Sequence, residues 1–184
     1  MRGVGERNIL DQFAIDFCKV VEKHCKYILV SGFVAISSGR VRATEDIDLT
    51  IEKLNFESYT LLHQSLVKIG FVCMQSNQVK EIFSYLSENI PVRYTRKNEP
   101  LPEMEMKFAK DKLDQVQIET RTKLQLTGLN LWFSNINMNI AFKEFLLKSD
   151  KDMKDAEHLR KIYPEQVNEH AILGYTRLIK KYRL

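Results

Sequence analysis

Residues 46–52, DIDLTIE, alternate between polar and apolar side chains along their whole length. A period of two is the pattern of a β-strand with one buried face, because successive side chains point to opposite sides of a sheet. Asp46 and Asp48 would then lie side by side on the polar face. Two neighbouring carboxylates repel each other, so this strand predicts a compensating positive charge close to the pair.

The residues before this strand indicate what that charge would be. The run YILVSG (27–32) predicts a buried strand ending in Gly, and VAISSG (34–39) predicts a short helix. The turn after Ser31 would let backbone N–H groups approach phosphate oxygens. Mg²⁺ binds carboxylate oxygens together with substrate phosphates, so the turn and the acid pair indicate a nucleoside triphosphate site with Mg²⁺ or Mn²⁺.

The rest of the chain predicts an α+β fold: a mixed β-sheet with flanking helices and a helical C-terminal region. Apolar positions at helical spacing predict helices at 7–25, 56–70, 139–147, 151–163 and 169–184, with a further short helix at 80–86. Short β-rich runs predict strands at 71–74, 92–94, 104–109 and 115–133, the last with a turn at Gly128, and 98–103 is predicted to be a connector. We expect a core at 1–138 and a C-terminal region at 139–184, packed together.

Composition excludes some classes of protein. No apolar run approaches the roughly 20 residues that span a bilayer, and the first residues lack a signal-peptide pattern. The three cysteines are too scattered for a disulfide framework or a metal knuckle, so a cytoplasmic protein without a membrane partner is expected. The net charge of +4 suits an anionic ligand and does not distinguish a nucleotide from a polynucleotide.

The stretch 31–52 resembles the signature of the nucleotidyltransferase superfamily, whose fold is that of the polymerase-beta palm. Gly32 takes the place of the signature glycine, and Asp46 and Asp48 take the places of its acid pair. The form of RATEDID (42–48) is common in the small, stand-alone branch that is similar to AbiEii-type toxins. The segment KSDKDMKDAEHL (148–159) resembles the helix that often follows in that branch.

This resemblance implies Mg²⁺-dependent transfer of a nucleoside monophosphate from a triphosphate to an acceptor hydroxyl. The acceptor would be tRNA, a protein or a small molecule such as an aminoglycoside, and a toxin of this branch would have an antitoxin partner. The implied catalytic residues and metal ligands are Asp46, Asp48 and Glu105. The implied nucleotide-binding residues are Ser31, Gly32, Arg42, Thr44, Lys143, Lys151 and Asp152, with Arg40 and Asp155 as further candidates.

Two features depart from the family pattern. Phe33 stands where Gly or Ser is usual, and a bulky side chain there would restrict the approach of a phosphate. No apolar-Asp-apolar run follows for the third acid, so Glu105, Glu103 or no residue fills that place. The alternatives are an inactive domain that binds a nucleotide or a partner, and an RNA-binding module that uses the basic residues of 177–184.

Overall fold

The computed structural model describes residues 8–41, 44 and 46–184, in which helices and strands alternate as far as β4 and only helices follow β5. The strands are β1 (Tyr27–Val30), β2 (Asp46–Ile51), β3 (Phe71–Cys73), β4 (Val92–Arg96) and β5 (Glu99–Phe108). The helices are α1 (Ile9–Val21), α2 (Gly32–Ser37), α3 (Phe56–Lys68), α4 (Val79–Ser87), α5 (Lys112–Glu119), α6 (Ile136–Ala141), α7 (Asp150–Ile162) and α8 (Glu169–Arg183). Helix α6 continues into a π-helical segment, Phe142–Leu147.

The strands form one mixed sheet in the order β1-β2-β5-β4-β3. Strands β2 and β5 are parallel, and the other neighbours are antiparallel. With its flanking helices and helical C-terminal part, the sheet confirms the predicted α+β fold. Across the described ranges, no helix combines the length and the apolar character that crossing a membrane requires. The division into 1–138 and 139–184 stays a prediction.

The two faces of the sheet differ in the way that the alternation of β2 predicts. Ile47, Leu49 and Ile51 are fully buried and belong to the main hydrophobic core, together with apolar residues of α1, α3 and α4. Asp46 and Asp48 point to the opposite, polar face, because side chains alternate along a strand. Helix α5 covers part of this second face, where its Ile118 packs in a small apolar cluster.

The prediction that 98–103 is a connector is wrong, because most of it belongs to β5. The hairpin turn occupies residues 97 and 98 instead, and Asn98 takes a left-handed φ of 67°. Pro100 and Pro102 lie in the part of β5 that precedes its pairing with β2, which begins at Glu103. Proline has no backbone N–H, but at these two positions no hydrogen bond to β2 is lost. The strand therefore tolerates both prolines.

The strands predicted at 115–133 are also wrong. Residues 112–119 form α5, whose first turn is capped by Asp111: its side chain accepts a hydrogen bond of 3.1 Å from the backbone N–H of Asp114. Past this helix the chain is irregular, with a 3₁₀ turn and a single antiparallel bridge between Thr122 and Phe133. The turn at Gly128 is confirmed, since this residue has a φ of 66°.

A buried polar network lies between α3 and the sheet and makes stability depend on pH. His63 Nδ1 lies 2.7 Å from the Tyr94 hydroxyl, which lies 2.8 Å from the Tyr59 hydroxyl. Burial lowers the pKa of His63 below its usual 6.5, so the unfolded chain binds this proton more readily than the folded chain. The contribution of His63 to stability is complete above pH 6.5 and is lost as the pH falls below it.

We therefore expect the free energy of unfolding in urea to fall between pH 7.5 and pH 5.5, and to fall less in His63→Gln. Other groups also titrate in this range, so the variant is compared with His170→Gln, which alters an exposed histidine. If the free energy of unfolding falls equally between pH 7.5 and pH 5.5 in both variants, His63 does not cause the pH dependence.

Candidate active site

Four carboxylates lie on the polar face of the sheet, where β2 and β5 run side by side. In the parallel register Asp46 is opposite Glu103, and Asp48 is opposite Glu105. Paired residues of adjacent strands point to the same face, so the acid pair of β2 lies beside two glutamates of the central strand. The sequence left Glu105 and Glu103 open as the third acid, and the structure places both on this face.

The position of Asp48 disfavours its ionisation. Burial raises the pKa of Asp48, and the negative charges of Glu105 and Asp46 raise it further. A hydrogen bond from Ser31 and the positive charge of Lys107 act in the opposite direction. A cation placed among these carboxylates would therefore relieve a repulsion that the described side chains compensate only in part.

Ser31 forms the turn between β1 and α2 that brings its hydroxyl to Asp48. Its backbone has φ 63° and ψ −133°, a conformation that a residue with a Cβ rarely adopts. Gly32, which follows this turn, is the buried first residue of α2. Strained backbone of this kind persists where the surrounding structure holds it in place and is concentrated at functional sites.

Two substitutions at Ser31 separate the strain from the hydroxyl. We expect Ser31→Gly to raise the free energy of unfolding by about 1 kcal/mol relative to Ser31→Ala, because Gly adopts this conformation without strain. Both variants lack the hydroxyl, so both lose the hydrogen bond to Asp48 and the difference between them reports the backbone strain. Urea denaturation measures this difference, and equal stability of the two variants would exclude strain at this turn.

Phe33 does not restrict the site in the way that its size predicted. The side chain is only 1% exposed and stacks on Phe133, with ring centroids 6.2 Å apart. It therefore faces the hydrophobic core rather than the polar face of the sheet. The expectation that Phe33 restricts the approach of a phosphate is therefore wrong, since the buried ring leaves the turn at Ser31 open.

The glutamates of β5 share one positive partner on β4. Arg93 Nη2 lies 3.3 Å from Glu105 Oε2, and Arg93 Nε lies 3.4 Å from Glu103 Oε2. Glu103 Oε2 is buried and makes no hydrogen bond among the described residues, so the ion pair with Arg93 is the contact that compensates its charge.

The donor set suits a hard divalent cation, since all four side chains offer carboxylate oxygens. Within residues 8–41, 44 and 46–184, however, no three His, Cys, Asp or Glu side chains are arranged to hold a metal ion. The contacts of Arg93 give a physical reason, because they orient Glu103 and Glu105 toward β4. The four carboxylates are thus neighbours on one face of the sheet. Their side chains have to change conformation before several of them can bind one metal ion.

Thr44 holds Asp46 at the entrance of β2. Its hydroxyl lies 3.1 Å from Asp46 Oδ1 and 3.2 Å from the Asp46 carbonyl oxygen. This is the local bond that orients the loop into the strand. Arg42, predicted to contact the nucleotide, lies outside the described residues.

Lys143, at the start of the π-helical segment, lies in a buried ionic network with α7. It is 1% exposed, and its Nζ lies 2.8 Å from Asp155 Oδ2 and 3.4 Å from Asp152 Oδ1. Arg40 also forms an ion pair with Asp155 and donates a hydrogen bond of 3.1 Å to the carbonyl oxygen of Lys151. Lys151 itself is exposed, and it takes part in the network through its backbone carbonyl oxygen.

A cavity of about 260 Å³ adjoins Asp48 and Ser31 on this face. Three cationic side chains line it, those of Lys107, Lys143 and Arg183. Its polar wall includes the buried amides of Gln117 and Asn139, and its apolar wall includes Phe142 and Leu146. The carboxylate of Asp114 also lines it and pairs with Arg183, so the cavity carries charges of both signs beside Asp48 and offers both polar and apolar contacts further in.

Several residues of this site were not found from the sequence. Lys107 follows Glu103 and Glu105 at a spacing of two on β5, so strand periodicity would have identified it. Arg183 belongs to the basic residues of 177–184 that the alternative RNA-binding module would use, but it forms ion pairs with Asp111 and Asp114 at the start of α5. No local pattern marks Arg183, because this contact joins segments that are far apart in the chain.

Solved structures similar to this chain share its fold. An antigenic nucleotidyltransferase-like protein from Paracoccidioides brasiliensis is 17% identical, with a TM-score of 0.55 over 94% of this chain and 88% of that one. The antibiotic-resistance factor ANT(2'')-Ia is 11% identical, with a TM-score of 0.53 over 93% of each chain. No family model and no curated protein matches the sequence. The fold is nucleotidyltransferase-like, as the resemblance at residues 31–52 predicted.

Proposed function

We propose that the protein transfers a nucleoside monophosphate from a nucleoside triphosphate to an acceptor hydroxyl, with release of pyrophosphate. The observation that carries this proposal is the position of Asp48, which adjoins Glu105, the Ser31 turn and a cavity with cationic walls. Carboxylates that hold a cation beside positive charge suit a triphosphate, whose reaction depends on positioning and on charge neutralisation. The nucleotidyltransferase-like fold supports the same class of reaction.

Each group of the site has a role in this proposal. Asp46, Asp48 and Glu105 would hold Mg²⁺, which when bound neutralises the triphosphate and lowers the pKa of the acceptor hydroxyl. Ser31 orients Asp48 through its hydrogen bond. Alternatively, Glu105 would act as the general base that accepts the proton of the acceptor hydroxyl.

The cavity supplies the remaining contacts with the nucleotide. Lys107 and Lys143 line it and would neutralise phosphate charge, while Asp152 would position Lys143. The buried amides of Gln117 and Asn139 offer hydrogen bonds to the sugar or the base. The apolar wall excludes water from these contacts, which strengthens them.

The acceptor is proposed to be tRNA, a protein or a small molecule. Similarity of residues 31–52 and 148–159 to the AbiEii-type branch supports a toxin-like enzyme with tRNA or protein as acceptor, an antitoxin partner and a cytoplasmic location. Similarity in fold to an antibiotic-resistance factor supports the small-molecule acceptor.

A transfer assay tests the proposal. The four nucleoside triphosphates, labelled at the α-phosphate, are incubated with Mg²⁺ and with tRNA, protein or aminoglycoside acceptors. Label on one acceptor class together with released pyrophosphate is the expected result, and both should disappear in the Asp46→Asn/Asp48→Asn variant. Transfer that persists in this variant would overturn the assignment of the acid pair.

The inactive nucleotide-binding domain remains a second candidate because Arg93 contacts both glutamates of β5. It predicts triphosphate binding that requires Mg²⁺ but produces no pyrophosphate with any acceptor. An RNA-binding module predicts steep salt dependence and binding that survives loss of the acid pair. The ion pairs of Arg183 reduce the basic charge at 177–184 that such a module would use.

A further inference from the structure

Arg93 lies on the same face of the sheet as the carboxylates, since β4 pairs it with Glu105. Its Nε and Nη2 atoms lie 3.4 Å and 3.3 Å from Glu105 Oε2. The same Nε lies 3.4 Å from Glu103 Oε2. One guanidinium group therefore contacts both glutamates of the central strand.

Glu105 therefore lies between two residues of opposite charge. On one side the register of β2 puts Asp48 beside it, and on the other side β4 puts Arg93 beside it. A carboxylate oxygen in contact with a guanidinium group has fewer lone pairs for a cation, and Arg93 also repels a cation directly.

We propose that Arg93 is a positioning residue that competes with the metal ion for Glu105 and Glu103. This inference rests on the proposed function, because it assumes that the carboxylates bind Mg²⁺. Gathering Glu105 toward Asp46 and Asp48 requires its carboxylate to leave the guanidinium group. The affinity for the metal ion therefore depends on the free energy of replacing the guanidinium group of Arg93 by the metal ion at the carboxylate of Glu105.

The contacts of Arg93 suit such an exchange. They are longer than well-formed charge-assisted hydrogen bonds, and the Arg93 side chain is 49% exposed, so the pair is weak and water can replace it. The backbone of Arg93 forms its own hydrogen bonds: its N–H donates to Gln75 Oε1 at 2.9 Å, and its carbonyl oxygen accepts from the N–H of Met74 at 2.8 Å. These bonds use main-chain atoms of Arg93, so replacing the side chain leaves them in place.

The test is titration with Mn²⁺ alone, followed by electron paramagnetic resonance of the unbound ion. We expect Arg93→Gln to bind Mn²⁺ about fivefold more tightly than the native chain, at the upper end of what an exposed ion pair contributes. Arg93→Lys keeps the charge and should stay within about twofold of the native affinity. The gain should disappear when Arg93→Gln is combined with Glu105→Gln.

Arg96→Gln is the matched control, because it removes the same charge from the same strand at a residue paired with Asp16. Unchanged or weaker Mn²⁺ binding in Arg93→Gln would overturn the competition, as would an equal gain in Arg96→Gln. In both cases Mn²⁺ binding by the native chain that is lost in Asp48→Asn would leave the proposed function standing. If the native chain binds no Mn²⁺ at all, the proposed metal site and this inference both fail.

Discussion

Asp48→Asn is expected to lower the affinity for a Mg²⁺-bound nucleoside triphosphate by about 100-fold or more, because it removes a metal ligand. The same substitution should raise the free energy of unfolding at pH 7. Burial and two neighbouring carboxylates raise the pKa of Asp48, so the folded chain is destabilised at any pH at which this group is ionised. Weaker binding in a more stable protein excludes unfolding as the cause.

Calorimetric titration with Mg²⁺ and with EDTA measures the first effect, and urea denaturation measures the second. Asp150→Asn provides the control, since it makes the same chemical change at an exposed aspartate of α7. Binding that is equally strong with and without Mg²⁺, or that is unaffected by Asp48→Asn, would contradict the metal–triphosphate site.

Lys143→Met is expected to cause the largest loss of stability, about 3 kcal/mol, because it removes one cation from a buried ionic network. Asp155 is fully buried and lies 2.8 Å from Lys143 Nζ, so its negative charge would lose one of its cationic partners and keep Arg40. Adding Asp155→Asn should recover part of this loss, because the buried negative charge is then removed, while Arg40 keeps its hydrogen bond to the carbonyl oxygen of Lys151. Urea denaturation at pH 7 measures each variant.

An exposed lysine of α8 supplies the control for this substitution. Lys180→Met changes the same side chain outside the network and should alter stability by less than about 0.5 kcal/mol. A double variant no more stable than Lys143→Met would mean that the cost is a packing defect rather than a charge. Triphosphate binding measured on the double variant then tests the cavity role of Lys143 without the stability loss.

The local part of the site could be predicted from the sequence. The alternation of 46–52 identified β2 and the shared face of Asp46 and Asp48, and the run before it identified the turn at Ser31. These features depend on neighbouring residues, so their periodicity is visible in a short window of sequence. The nucleotidyltransferase-like fold followed from the same stretch.

The long-range part could not be predicted. The pairing of Asp48 with Glu105, the bridge from Arg93 and the burial of Phe33 against Phe133 all join segments that are distant in the chain. Helix α5 was mistaken for a strand because its buried face holds two polar residues, Asp114 and Gln117, which hide the helical period. Contacts with distant segments compensate their burial: Arg183 pairs with Asp114, and the hydroxyl of Ser134 donates a hydrogen bond to Gln117 Oε1.

The central position of β5 governs when the candidate site forms during synthesis. β5 lies between β2 and β4, so Glu105 lies beside Asp48 only once β5 has paired with β2. A parallel pairing between distant segments closes a long loop and is an intrinsically slow step of folding. A ribosome-bound chain that ends before residue 99 contains Asp46 and Asp48 but not their partner strand. The four carboxylates of the polar face therefore come together only after the chain has been synthesised beyond β5.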